Sequence, residues 1–144
     1  MKADQKIQSE FISLLRQAGE KNGFRYQFWY QGTRRMSTHI IELSGSINYL
    51  IYFKVRSEEP YSWGVTANRV AELNQSGRKW VLALLYESPN TGYLITAEGV
   101  NRYLSIWPRG SDGDYKVRPG RCLRFNRPFH SFSEFLNSLL SSYR

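Results

Sequence analysis

The chain has 144 residues, of which 41% are hydrophobic and 22% charged, and this length suits one domain built around a single core. Lysine and arginine number 20 against 12 acidic residues, so the net charge is +8 and the surface field favours a polyanionic partner. Cys122 is the single cysteine, which excludes an intrachain disulfide and a cysteine-rich zinc site, and no apolar run reaches the roughly 18 residues that a membrane span requires.

The first half of the chain predicts one helix followed by three strands. Apolar residues recur at helical spacing over residues 4–21, where Asp4 can cap the start and Gly23 can end the helix. Three runs rich in aromatic and β-branched residues follow, with turn sequences between them. They predict consecutive antiparallel strands over residues 24–30, 39–43 and 49–56.

The next segment predicts a helix, a buried strand and a hairpin. Thr66 begins a second helical pattern that ends before Gly77. Residues 79–87 form a near-continuous apolar run, which is typical of a strand buried on both faces in the middle of a sheet. A turn then leads back into a short strand over residues 93–95, after which Thr96 can cap a brief helix.

The C-terminal third is predicted to be irregular until its last helix. Residues 106–128 are rich in proline and glycine, with short strand candidates at 115–117 and 122–125. Ser131 and Glu134 form a capping box before an apolar stripe, which predicts a C-terminal helix.

The third predicted strand and the order of elements resemble a known family. The strand is NYLIYFKVRS, and it lies in the order helix, three strands, helix, strand. This order resembles the core of the restriction-endonuclease-like fold, the PD-(D/E)xK superfamily, which includes archaeal Holliday-junction resolvases and many restriction enzymes. The resemblance implies an α/β fold with a mixed central β-sheet flanked by helices. It places an αβββαβ core in residues 1–95 and a basic, loop-rich addition with a C-terminal helix in residues 96–144 of one domain.

The resemblance also assigns positions to a catalytic site. In the family, an aspartate and an (E/D)-x-K motif hold Mg²⁺, and the lysine orients or activates the attacking water. Lys54 takes the position of that lysine, Tyr52 stands where the motif has its glutamate, and His39 stands near the position of the aspartate. Because Mg²⁺ prefers several oxygen ligands that include carboxylates, we expect no cofactor, with Mg²⁺ admitted only if Glu10 and Glu42 converge.

Two interpretations of the cluster around Lys54 stay open at this point. Tyr52, Lys54 and Arg56 share a strand face, and an antiparallel neighbour can place His39 across from them, whereas Glu42 alternates away from His39 unless the strand bulges. The cluster can be structural, with a snorkelling lysine and a core tyrosine. It can also cleave RNA without metal, with His39 as acid or base, Lys54 stabilising phosphorane charge and Tyr52 positioning the 2′-hydroxyl.

Basic residues outside this cluster suggest contacts with a phosphate backbone. A pair of arginines lies in the loop after the first strand, and residues 102–127 hold seven basic residues against two aspartates. Arginines interleaved with aromatic residues suit phosphate pairing and base stacking, although they can equally satisfy loop carbonyls. The candidates for nucleic-acid binding are Arg34, Arg35, Arg56, Arg109, Lys116, Arg118, Arg121 and Arg124.

The sequence therefore predicts a cytoplasmic protein of nuclease-like fold that binds DNA or RNA and has a degenerate or atypical phosphodiesterase site. Endonuclease activity through non-standard residues is left open, and no membrane partner is expected. The alternative is a regulatory or protein-interaction module without a nucleic-acid ligand. In the segment between the third strand and the second helix, Tyr61 and Trp63 can anchor that helix or form a homodimer contact.

Overall fold

The protein alternates helices and strands in an α/β arrangement. A computed structural model describes residues 2–29, 39–121 and 126–143. The helices are α1 (Ala3–Asn22), α2 (Ala67–Gln75), α3 (Ala97–Tyr103) and α4 (Phe132–Tyr143). The strands are β1 (Phe24–Phe28), β2 (Ile40–Gly45), β3 (Tyr49–Arg56), β4 (Trp63–Val65), β5 (Trp80–Tyr86), β6 (Gly92–Thr96), β7 (Tyr115–Val117) and β8 (Asn126–Phe129).

The central sheet of the described chain has six strands in the order β1-β2-β3-β5-β6-β8. β3 and β5 run parallel, with Lys54 opposite Leu84, and α2 lies in the crossover between them. The other neighbouring pairs are antiparallel. The predicted fold class, an α/β fold with a mixed central sheet flanked by helices, is therefore confirmed, and α1, β1, β2, β3, α2 and β5 follow the predicted αβββαβ order.

The sheet separates two apolar cores. On one face, α1 and α4 pack on the sheet, and Phe11 of α1 contacts both Phe53 of β3 and Phe135 of α4. On the other face, α2 and α3 cover the side of the sheet that carries Tyr52 and Leu84. Because β5 faces both cores, its first six residues are all buried, as its apolar run predicts.

The ends of two helices differ in detail from the prediction. α1 begins one residue before Asp4, whose carboxylate lies in the first turn and accepts a hydrogen bond from the Ser57 N–H at 2.8 Å instead of capping the helix. At α4, Ser131 Oγ accepts from the Glu134 N–H at 3.1 Å, as the capping box predicts. The Glu134 carboxylate, however, accepts from the N–H of His130 at 2.7 Å, one residue earlier than expected.

The prediction of irregular structure over residues 106–128 is wrong at its end. β8 begins at Asn126 and pairs with β6, so this segment supplies an edge strand of the central sheet. Pro128 is compatible with that position because an edge strand does not need every N–H for pairing. The strand at 115–117 is confirmed as β7 and pairs with β4, while the candidate at 122–125 lies outside the described residues. No helix in the described ranges has the length and apolar character needed to cross a bilayer.

Candidate functional site

A polar cavity of about 360 Å³ lies between the second half of β3 and the first turns of α2. It contains three of the five residues that the sequence predicts for a catalytic site. Four further polar residues come from the start of α2. The lining residues are His39, Tyr52, Lys54, Thr66, Asn68, Arg69 and Glu72.

Lys54 supplies a cation without a close partner. It lies on the face of β3 that carries Tyr52, two residues further along the strand, and its side chain is half-buried. It makes no hydrogen bond or ion pair with any residue in the described ranges, and the Asp114 carboxylate acts on it only through its longer-range field. Burial lowers the pKa of Lys54 from its ordinary value, although the charge of Asp114 opposes this effect.

His39 lies just before β2, at the mouth of the cavity. The N–H of Phe53 donates to the His39 carbonyl at 2.9 Å, and the two rings have centroids 6.2 Å apart. Although His39 as a whole is exposed, partial burial of the imidazole lowers its pKa below 6.5, and the charges of Lys54 and Arg69 add to this effect. The imidazole is therefore neutral at pH 7 and can accept a proton.

Tyr52 forms the floor of the cavity and is buried in the core of the α2 face. Its hydroxyl oxygen accepts a hydrogen bond from the Thr66 N–H at 3.1 Å. Burial raises the pKa of Tyr52, so the phenol stays protonated near neutral pH. Tyr52, which the resemblance aligns with a glutamate, thus fixes the start of α2 and supplies no negative charge.

The α2 residues of the cavity were not among the predicted site residues. Arg69 and Glu72 form an ion pair at 3.1 Å on the wall of the cavity, with the Arg69 side chain 39% exposed. The Thr66 side chain makes no capping hydrogen bond to the first turn of α2. The positive end of the helix adds to the attraction of the site for an anion. Arg69 and Glu72 are three residues apart, which places them on one face of the helix. The same spacing is common on helix faces that only contact solvent, so it does not by itself indicate a site.

The structure does not bring Glu42 and Glu10 to this site. Glu42 shares the sheet face of Lys54 but lies opposite Leu50, four residues from Lys54 along β3, which corresponds to about 13 Å. Its carboxylate accepts from Arg78 at 2.6 Å and from Gln27 at 2.6 Å, and these bonds lower its pKa. Glu10 is exposed on α1, which packs on the other face of the sheet.

The cavity therefore does not fit the Mg²⁺ ion that the resemblance to the nuclease family implies. A metal site would need the carboxylates of Glu10 and Glu42 to lie close together, and they lie on opposite faces of the sheet. Glu72 is the carboxylate that lines the cavity, and Arg69 already engages it. The remaining groups are cationic or neutral, whereas Mg²⁺ selects an octahedron of oxygen ligands. Across the described residues there is no group of three or more histidine, cysteine, aspartate and glutamate side chains that could hold a metal ion.

Several basic residues that were predicted to contact nucleic acid bind other groups of this chain. Arg109 donates to the Gly113 carbonyl at 2.9 Å and lies over the Tyr115 ring, and Lys116 pairs with Asp112 at 3.0 Å. Arg118 is exposed and also interacts within the chain.

The structure describes the other residues that were predicted to bind nucleic acid to different extents. Arg56 is exposed at the end of β3, and its Nε donates to the Glu58 carbonyl at 3.2 Å. Arg34, Arg35 and Arg124 lie outside the described residues, and only the backbone of Arg121 is described.

Strand order and the cavity together define an α/β protein with a mixed six-stranded sheet and a polar, cation-bearing cavity between β3 and α2. The structure is similar to that of Hjc, a Holliday junction resolvase from the archaeal hyperthermophile Archaeoglobus fulgidus, with a TM-score of 0.46 and 13% sequence identity. The matched region covers 78% of this chain and 89% of the resolvase. Neither a family model nor a curated protein matches the sequence.

Proposed function

We propose that the protein binds nucleic acid through its phosphate groups, with the cavity around Lys54 as a principal contact. The observation that carries this proposal is a half-buried ammonium group that has no hydrogen-bond partner among the described residues and lines an open polar cavity. Burying a charge without a partner is costly. A bound phosphate would supply the missing partner and recover part of that cost.

Other groups in the cavity suit the same ligand. Arg69 presents a planar guanidinium with donors left over beyond its bond to Glu72. The N–H groups of Ala67 and Asn68 stand at the positive end of α2, which favours anions. The net charge of +8 would draw a polyanion to the protein from a distance.

A second candidate function is cleavage of RNA without metal. It is favoured by the neutral imidazole of His39 at the mouth of the cavity that also holds Lys54. In such a reaction, His39 would take the proton of a 2′-hydroxyl, and the 2′-oxygen would attack the adjacent phosphorus while Lys54 stabilises the charge on the phosphorane oxygens. The bond from phosphorus to the 5′-oxygen would then break, and the 5′-oxygen would take a proton from His39 or water. The Tyr52 hydroxyl, which already accepts from Thr66, could still donate to the substrate.

Binding can be measured by fluorescence anisotropy of labelled single-stranded DNA, single-stranded RNA and duplex DNA over a series of KCl concentrations. The logarithm of the association constant should fall linearly with the logarithm of salt, because phosphate contacts release counterions. Lys54→Met should weaken binding about 10-fold or more and reduce the salt slope by about one. Lys6→Met, which removes one exposed charge from α1, is the matched control.

The outcomes separate the candidate functions. Equal affinities of the Lys54→Met and Lys6→Met variants would refute the assignment of the cavity. Absent or salt-independent binding would instead favour a protein-interaction module. Incubation of labelled RNA with a chelator tests the second candidate, since cleavage that persists there and is lost in His39→Gln would identify a metal-independent nuclease.

A further inference from the structure

Four aromatic side chains form a cluster beside the cavity, at the carboxyl ends of β3 and β5. The ring centroids of Tyr61 and Tyr86 are 4.9 Å apart, and those of Tyr86 and Tyr93 are 5.9 Å apart. Trp63 lies beneath them, 6.4 Å from Tyr86 and 6.2 Å from Tyr93. Trp63 is fully buried, whereas the three tyrosines keep part of their surface in water.

The cluster is held in place by hydrogen bonds at its base and at its outer ring. The Trp63 indole N–H donates to the Leu85 carbonyl at 2.9 Å. The Tyr61 hydroxyl donates to the Glu87 carboxylate, and this bond raises the pKa of Tyr61 to about 12. The rings are therefore preorganised, which reduces the entropy lost when a ligand binds to them.

Glu87, whose carboxylate accepts the hydrogen bond from Tyr61, has an unusual backbone conformation. Its φ is 66°, and no other non-glycine residue among the described residues has a positive φ. Such conformations are uncommon for residues with a side chain and persist where the surrounding structure enforces them. Here the Glu87 N–H donates to the Arg56 carbonyl at 3.1 Å, which links the turn to the end of β3.

The cluster and the cavity are adjacent on the same face of the sheet. β4 starts at Trp63, and Thr66, which lines the cavity, follows the end of β4. Three residues of extended chain correspond to about 10 Å. Arg56 lies two residues beyond Lys54 on the same face of β3, about 7 Å away, so cationic side chains lead from the cavity toward the rings.

We infer that Tyr61, Tyr86 and Tyr93 form a stacking platform for unpaired bases of the strand whose phosphate occupies the Lys54 cavity. The preferred ligand is then single-stranded nucleic acid. Aromatic rings bind any base through its π-face, but bases within a continuous duplex already stack on their neighbours and do not present that face. This inference rests on the proposed phosphate-binding function and names the ligand class of that site.

The test compares a labelled thymidine hexanucleotide with an abasic hexanucleotide of the same length and charge. The abasic strand keeps every phosphate but cannot stack. The protein should bind it about 5- to 150-fold more weakly than the thymidine strand. Tyr61→Leu should lose most of this discrimination, whereas Tyr26→Leu, a half-buried tyrosine on β1 that packs against the other core, should retain it.

The comparison of the thymidine strand with the abasic strand uses the unmodified protein, so it does not depend on whether a variant folds. Equal, salt-sensitive binding of both strands would overturn the stacking platform and leave phosphate binding intact. Discrimination that survives in Tyr61→Leu would remove these rings from the platform. Failure of both strands to bind would refute the phosphate-binding function together with the inference.

Discussion

The hydroxyl oxygen of Tyr52 accepts a hydrogen bond from the backbone N–H of Thr66 at 3.1 Å. This contact joins the floor of the cavity to the residue that immediately precedes the helix that forms its wall. An N–H at the start of a helix has no partner within the helix, so a buried acceptor is needed to satisfy it. Tyr52 thus has a structural role in addition to lining the cavity.

Replacing Tyr52 with phenylalanine should lower the free energy of unfolding by about 1–2 kcal/mol, because the Thr66 N–H would lose its acceptor in a partly buried position. Thermal denaturation followed by circular dichroism can measure this effect. Tyr26→Phe is a suitable control, since Tyr26 is also half-buried in a strand but its hydroxyl makes no hydrogen bond among the described residues. Equal losses in the two variants would show that the Tyr52 hydroxyl adds no stability.

Replacing Lys54 with methionine should stabilise the protein while weakening its binding to nucleic acid. Because burial lowers the pKa of Lys54 in the folded state, the protonated lysine favours the unfolded chain below that pKa, and this penalty disappears as the pH rises toward the unfolded value. At pH 7 we expect a gain of about 0.5–1 kcal/mol from urea denaturation. A loss of stability would show that the ammonium group is satisfied in the free protein.

His39 should titrate below 6.5 in the free protein, because burial and the charges of Lys54 and Arg69 disfavour the imidazolium. Its contribution to stability is complete above 6.5 and is lost as the pH falls through the folded-state pKa. Inorganic phosphate should raise this pKa, since a bound anion stabilises the protonated ring. NMR can follow both histidines of the chain, and His39→Gln assigns the signal. A pKa that phosphate does not move would place the anion elsewhere.

Glu42→Gln should change stability by less than about 1 kcal/mol and leave nucleic-acid binding within about twofold of the original protein. Glu42 is engaged by Arg78 and Gln27, and it lies outside the cavity lining. Chemical denaturation and anisotropy titrations measure the two quantities. Loss of a cleavage activity in this variant, with unchanged stability, would instead restore Glu42 to a catalytic role.

The sequence predicted long, periodic elements but missed two short strands, β4 and β8, that depend on distant partners. The apolar periodicity of α1 and the apolar run of β5 have causes that are local in sequence. The three residues of β4 carry no measurable period, and they become a strand because Val65 pairs with Tyr115 fifty residues later. β8 contains Pro128, which argues for a loop until its place at the sheet edge is known.

The candidate site was predictable to the extent that it lies on one strand. Alternation along β3 groups Tyr52 with Lys54, and the resemblance adds His39. Arg69 and Glu72 could not be selected, because the angle at which α2 crosses the sheet decides which of its polar residues reach Lys54. The crossing depends on packing of Val70 and Leu73 in the second core, which no local pattern reveals.

Because the sheet separates the two cores, the residues that stabilise the α1 face are distinct from the residues that line the cavity. Amino-acid changes among the phenylalanines and leucines between α1 and α4 can accumulate or be engineered without displacing the polar donors beyond the sheet, provided that β3 keeps its register. The α1 side can therefore carry labels or an immobilisation tag, while specificity is varied separately through the polar face of α2.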